Sequence, residues 1–91
     1  MMKQEQAETV ALQALAYIAA DEDRMDRFVA LSGLGPDDLK SRIADPAFLG
    51  GVLDHLLGHE PDLMDFAEEA GIDPMAVQRA RAALPGVNPD W

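Results

Sequence analysis

His55 and His59, four residues apart, are the side chains of this chain whose type and spacing best suit chemistry. On a helix that spacing places both imidazoles on one face, with Asp54, Glu60 and Asp62 close by. Two such rings chelate a divalent cation, which makes His55 and His59 the candidate metal ligands. A zinc site needs a third protein ligand, however. The run reads His-Leu-Leu-Gly-His and lacks the glutamate that follows the first histidine in hydrolytic zinc motifs. His59 also falls near an expected helix end, where an imidazole has an ordinary place beside the negative pole of the dipole.

Carboxylates form the second candidate group. Asp65 and Glu69 stand one helical turn apart, flanked by Asp62 and Glu68. Paired carboxylates act as general acid and base or hold a cation. The alternating acids and central glycine of a calcium loop are absent, and the same residues read equally as a solvated helix face. Asp62, Asp65 and Glu69 are therefore taken as an interaction surface for a basic partner. Trp91, the sole tryptophan, adds a candidate anchor at the end of the chain.

Nucleophiles are scarce. The hydroxyls are Thr9, Tyr17, Ser32 and Ser41, and there is no cysteine. Ser32 precedes Gly33 but follows no strand, so no nucleophile elbow is present; it is expected to face the core or to bond a backbone carbonyl. Gly33-Leu34-Gly35-Pro36 reads as a cap and turn, not a phosphate cradle. Met25, Met64 and Met75, with Phe28, Phe48 and Phe66, are explained as core packing. No catalytic constellation emerges, and neither an enzymatic activity nor a cofactor is expected.

The charge balance narrows the partners. Seventeen acidic residues against seven basic ones give a formal net charge of −10. A field of that sign repels nucleic acid and anionic lipid, so neither is an expected partner. Helix–glycine turn–helix pairs invite a DNA-binding reading, with Lys40 and Arg42, or Gln78, Arg79 and Arg81, on the recognition helix. These few cations make a poor electrostatic footprint, and a helix-turn-helix regulator is disfavoured. Absence of cysteine fits the reducing cytoplasm. The polar start, Met1 to Glu8, has no apolar segment of the signal-peptide kind. The apolar run from Ala14 to Ala20 is far short of a membrane span.

The elements that position these residues are helical. Apolar residues make up 48% of the chain and aromatics 5%, so alanine and leucine must fill the interior. The 3.6-residue spacing of Val10, Ala14, Leu15 and Ile18 predicts a helix over 5–20. Asp21 is a candidate N-cap for a second helix over 22–32, which presents Met25, Phe28, Val29 and Ser32 on one face. Gly33 suits the left-handed residue after its last turn. A third helix, 36–44, starts at Pro36 and buries Leu39 and Ile43. The fourth, 47–58, carries the widest apolar stripe (Phe48, Leu49, Val52, Leu53, Leu56, Leu57). Gly50 and Gly51 within it suggest close approach of another backbone. The fifth, 60–70, buries Leu63, Phe66, Ala67 and Ala70. The sixth, 74–84, buries Val77, Ala80 and Leu84. Residues 85–91 are expected to be extended.

One pattern recurs. Phe28, Gly33-Leu34, Pro36 and Leu39 are matched 38 residues later by Phe66, Gly71-Ile72, Pro74 and Val77. The fold expected is an all-α compact bundle of five or six short helices in a single domain, with 9–46 and 47–84 as two tandem three-helix repeats. Small repeated helical units make binding surfaces more often than active sites. The functional reading is a non-catalytic cytoplasmic protein–protein interaction module. Its partner is a basic protein or a second copy of the chain. A small metal-binding protein using His55 and His59 is the alternative.

The stretch Ala44-Asp45-Pro46-Ala47-Phe48-Leu49, with Val52-Leu53-Asp54, Ala70-Gly71-Ile72-Asp73-Pro74 and Arg79-Ala80-Arg81-Ala82-Ala83-Leu84-Pro85-Gly86, resembles a family of small uncharacterised proteins from alphaproteobacteria. The resemblance covers nearly the whole chain. It rests on caps and apolar helix positions, implies a bacterial cytoplasmic setting, and carries over no functional residue.

Overall fold

Aspartate and glycine set most of the helix boundaries. The computed structural model describes residues 2–34 and 38–85, which form six helices and no strand. These are α1 (Gln4–Ala19), α2 (Glu22–Ser32), α3 (Asp38–Arg42), α4 (Pro46–Leu57), α5 (Glu60–Ala70) and α6 (Pro74–Ala82). The Asp21 carboxylate accepts from the amides of Asp23 at 2.9 Å and Arg24 at 3.2 Å, satisfying first-turn donors that α2 itself leaves free. Asp45 and Asp73 do the same at the starts of α4 and α6, accepting from Ala47 at 3.0 Å and Met75 at 2.8 Å. A proline follows each of these two caps, where its missing amide costs nothing.

Gly33 and Gly71, aligned in the sequence pattern, end α2 and α5 at φ +73° and +70°. A side chain at either would be strained, because the Cβ of an L-residue crowds the carbonyl there. Leu34 and Ile72, just past the caps, turn back and pack against the core.

The core lies between α1, α4 and α6, which pack on one another; α2 rests on α1, and α5 on α4, α6 and α1. Ala7, Ala11 and Ala14 on α1 are fully buried and have no side chain beyond Cβ, so the neighbouring helices approach closely. Val52, Leu53 and Leu56 of α4, Val77 of α6, Ile18 of α1 and Phe66 of α5 fill the space between. Each large apolar side chain so buried contributes about 1.5–3 kcal/mol. The radius of gyration, 12.1 Å, is about that of a compact chain of this length.

Several expectations need correction. Ile43, expected inside, is 40% exposed, and α3 as a whole buries no residue. Leu39 of α3 packs against the core only partly buried, whereas α6 inserts Val77 and Ala80 fully into it; the expected helix start at Pro36 lies outside the described residues. The third helices of the two sequence units thus have different roles. Ser32 is exposed and not core-facing, while its hydroxyl makes the backbone bond expected as the other choice, donating to the Val29 carbonyl. Close approach holds at Gly50 but not at Gly51. A Cβ on Gly50 would lie 2.8 Å from the Arg81 guanidinium and 2.9 Å from the Pro85 carbonyl oxygen, while one on Gly51 would meet open space. Met64 and Met75 are half exposed and lie outside the core. The extended tail expected over 85–91, Trp91 included, falls outside the described residues from Gly86 onward.

Candidate functional site

The acidic side of α5 faces arginines from α2. Tyr17, near the end of α1, donates its hydroxyl to Asp65 Oδ2 at 2.7 Å. The Arg24 guanidinium lies over the Tyr17 ring, 3.8 Å from its centroid, in cation–π geometry. Its Nη2 donates to the Tyr17 carbonyl at 2.9 Å, and its Nη1 stands 3.8 Å from Asp21 and 3.9 Å from Asp65. The Nε of Arg24 is buried and has no hydrogen-bond partner among the described residues. Burial, and then the bond to the Asp65 carboxylate, push the Tyr17 phenol well above its ordinary value. The ring packs tilted against Phe66 at 5.7 Å.

One turn earlier on α5, Arg27 Nη1 donates to Asp62 at 3.3 Å and stands 3.1 Å from His59 Nε2. His59 Nε2 also stands 3.7 Å from Asp62 Oδ2, so Arg27, His59 and Asp62 meet at one point. Gly58 closes α4, at the end expected for that helix, and His59 sits at the N-cap of α5. The His55 ring is edge-on to Phe28 at 5.1 Å, and Phe28 in turn meets Phe48 at 6.2 Å. Burial holds the His55 pKa below its ordinary value, with Asp62 opposing. His55 therefore packs against an aromatic ring while His59 engages Arg27. Among the described residues no three histidine, aspartate or glutamate side chains are grouped to hold a metal ion.

The acidic surface read from the sequence thus divides. The Asp62 side chain is only 17% exposed and pairs with Arg27; Asp65 is bonded to Tyr17. Neither is the free solvated carboxylate expected of that helix face. Glu69 differs from both: it is exposed and makes no hydrogen bond or ion pair with the described residues. It stands on the rim of an open furrow between α1 and α5, about 320 Å³ in volume, bordered by Ala16, Tyr17, Ala20, Phe66 and Ala70. A second groove, of about 420 Å³, opens beside Phe28, Leu34, Phe48 and Gly51.

Sequence reasoning missed two residues. Arg81, grouped there with the cations of a DNA-reading helix, is 7% exposed. Its Nε donates to Asp54 Oδ1 at 2.8 Å, and its Nη1 to the carbonyls of Leu84 at 3.1 Å and Pro85 at 3.3 Å. The signal was present: Arg81 shares the stripe of Val77, Ala80 and Leu84, and Gly50 supplies the room. Tyr17, read only as a hydroxyl, follows Ala14 by three residues and so lies on the buried side of α1. Lys40, Arg42 and Arg79 are exposed. With Arg81 inside the molecule, the basic set proposed for nucleic acid is smaller still.

No helix among the described residues is long and apolar enough to cross a membrane. No curated protein and no solved structure matches the chain. A family of proteins of unknown function, DUF3572, matches residues 4–87; the chain belongs to that family.

Proposed function

We propose that this chain is a non-catalytic protein–protein interaction module of the bacterial cytoplasm. The observation that carries the reading is the α1–α5 furrow, lined mainly by apolar side chains and rimmed by an exposed carboxylate with no partner among the described residues. Apolar concavities with a few polar groups at the edge are where binding concentrates. Further support comes from the side chains with chemical potential. Tyr17, Arg24, Arg27, His59 and Arg81 are each engaged in contacts that join one helix to another or fix the chain after α6. The lack of cysteine fits a reducing compartment.

The test is affinity capture from lysate of the producing cells, paired with sedimentation of the purified protein. A reproducible stoichiometric partner, or a stable dimer, is the expected result. A strict monomer that captures nothing overturns the reading.

A further inference from the structure

We infer that the α1–α5 furrow receives a short segment of a partner protein in which a lysine or arginine stands beside an aliphatic side chain. This rests on the interaction-module reading and names the surface and the chemistry that it uses.

The shape comes from residue size. Ala16 on α1, Ala20 just past its end and Ala70 on α5 stop at Cβ, so the two helices leave a depression along their seam, backed by the Tyr17 and Phe66 rings. At about 320 Å³ it has room for a few side chains and not for a whole helix. The floor is apolar, and an aliphatic group entering it leaves water at about 25 cal/mol per Å².

The charge comes from the pairing pattern. Asp65 and Glu69 stand one turn apart on α5. Asp65 accepts the Tyr17 hydroxyl and has Arg24 at 3.9 Å, whereas Glu69 has no such partner among the described residues. An incoming cation completes at Glu69 what Arg24 and Arg27 supply to Asp65 and Asp62. Gln13, on the α1 rim, carries an amide able to donate to and accept from the segment's backbone. The net charge of −10 adds long-range attraction for a basic segment, which salt weakens.

A phage-displayed random dodecapeptide library, panned on the intact protein, supplies the probe. The strongest peptide is then mapped by amide chemical shifts on the ¹⁵N-labelled chain. Peptides pairing a cationic with an aliphatic residue should be enriched and should shift Gln13, Ala16, Ala20 and Ala70. Affinity should fall by about tenfold with Glu69→Lys, and not with Glu5→Lys, which makes the same charge change away from the furrow. Circular dichroism confirms that both variants fold. Failure to enrich any peptide, enrichment of acidic peptides, mapping to the groove at Phe28 and Phe48, or indifference to Glu69→Lys overturns the assignment. A cellular partner captured equally by wild type and Glu69→Lys also overturns the furrow while leaving the interaction reading in place.

Discussion

Tyr17 and Arg81 show how single side chains that look reactive can hold a fold. Replacing Tyr17 by Phe removes one hydrogen bond to a carboxylate and should lower stability by about 1 kcal/mol near neutral pH. The pH dependence has a definite sign. The folded-state pKa of Tyr17 lies above the ordinary 10.0, so the neutral phenol's contribution is fully present below about pH 10 and is lost as pH rises through the folded value. Chemical denaturation across the alkaline range should therefore show the wild type converging on Tyr17→Phe. Tyr17 is the only tyrosine, so phenolate absorbance reports it alone. A transition near pH 10 in the folded protein would contradict the buried bond. At Arg81, Met retains the apolar stem but leaves the Leu84 carbonyl without its donor. Arg81→Met should cost about 1–3 kcal/mol in urea denaturation, because the buried Leu84 carbonyl is left unpaired, while the half-exposed Asp54 can turn to water. A change within a few tenths would mean that Arg81 has no structural role.

At the scale of elements, two adjacent glycines in α4 respond in opposite directions. Gly51→Ala gains helix propensity and meets no neighbour, so stability should rise by about 1 kcal/mol. Gly50→Ala gains the same propensity but drives its Cβ into the Pro85 carbonyl and the Arg81 guanidinium. It should destabilise, and thermal melts of the two variants should move in opposite directions. Their contrast also marks how far the sequence was legible. Helix ends α2 and α5 were readable to the residue because their signals are local: an aspartate cap at Asp21 and left-handed glycines at Gly33 and Gly71. The stripes of α4 and α6 were readable because periodicity encodes burial. The interior place of Gly50 against the open one of Gly51 was not, since it depends on where residues some thirty positions later return. The same holds for the candidate site. The spacing of Asp65 and Glu69 was visible in the sequence, but the partners that separate their roles were not. Tyr17 lies 48 residues from Asp65, and Arg27 lies 35 from Asp62. Only the packing of α1 and α2 near α5 reveals that Asp62 and Asp65 are engaged, and that Glu69 has no partner among the described residues.

Across the whole molecule, an excess of ten negative charges surrounds a small helical core. Such a surface favours solubility and disfavours nucleic acid, and it gives a basic partner a wide electrostatic target. The function proposed for this chain lies in contact through the α1–α5 seam, with the reactive side chains committed to structure. Lys3 and Lys40 are the only lysines, so carboxylate-directed cross-linking suits this chain better than amine chemistry. The most direct measurement is such cross-linking in the producing cells, with the linked residues identified by mass spectrometry. Intermolecular links concentrated at Glu69, and lost with Glu69→Lys, are the predicted result. An absence of intermolecular links, or links clustered on exposed carboxylates away from the furrow such as Glu5 and Asp73, would contradict the account.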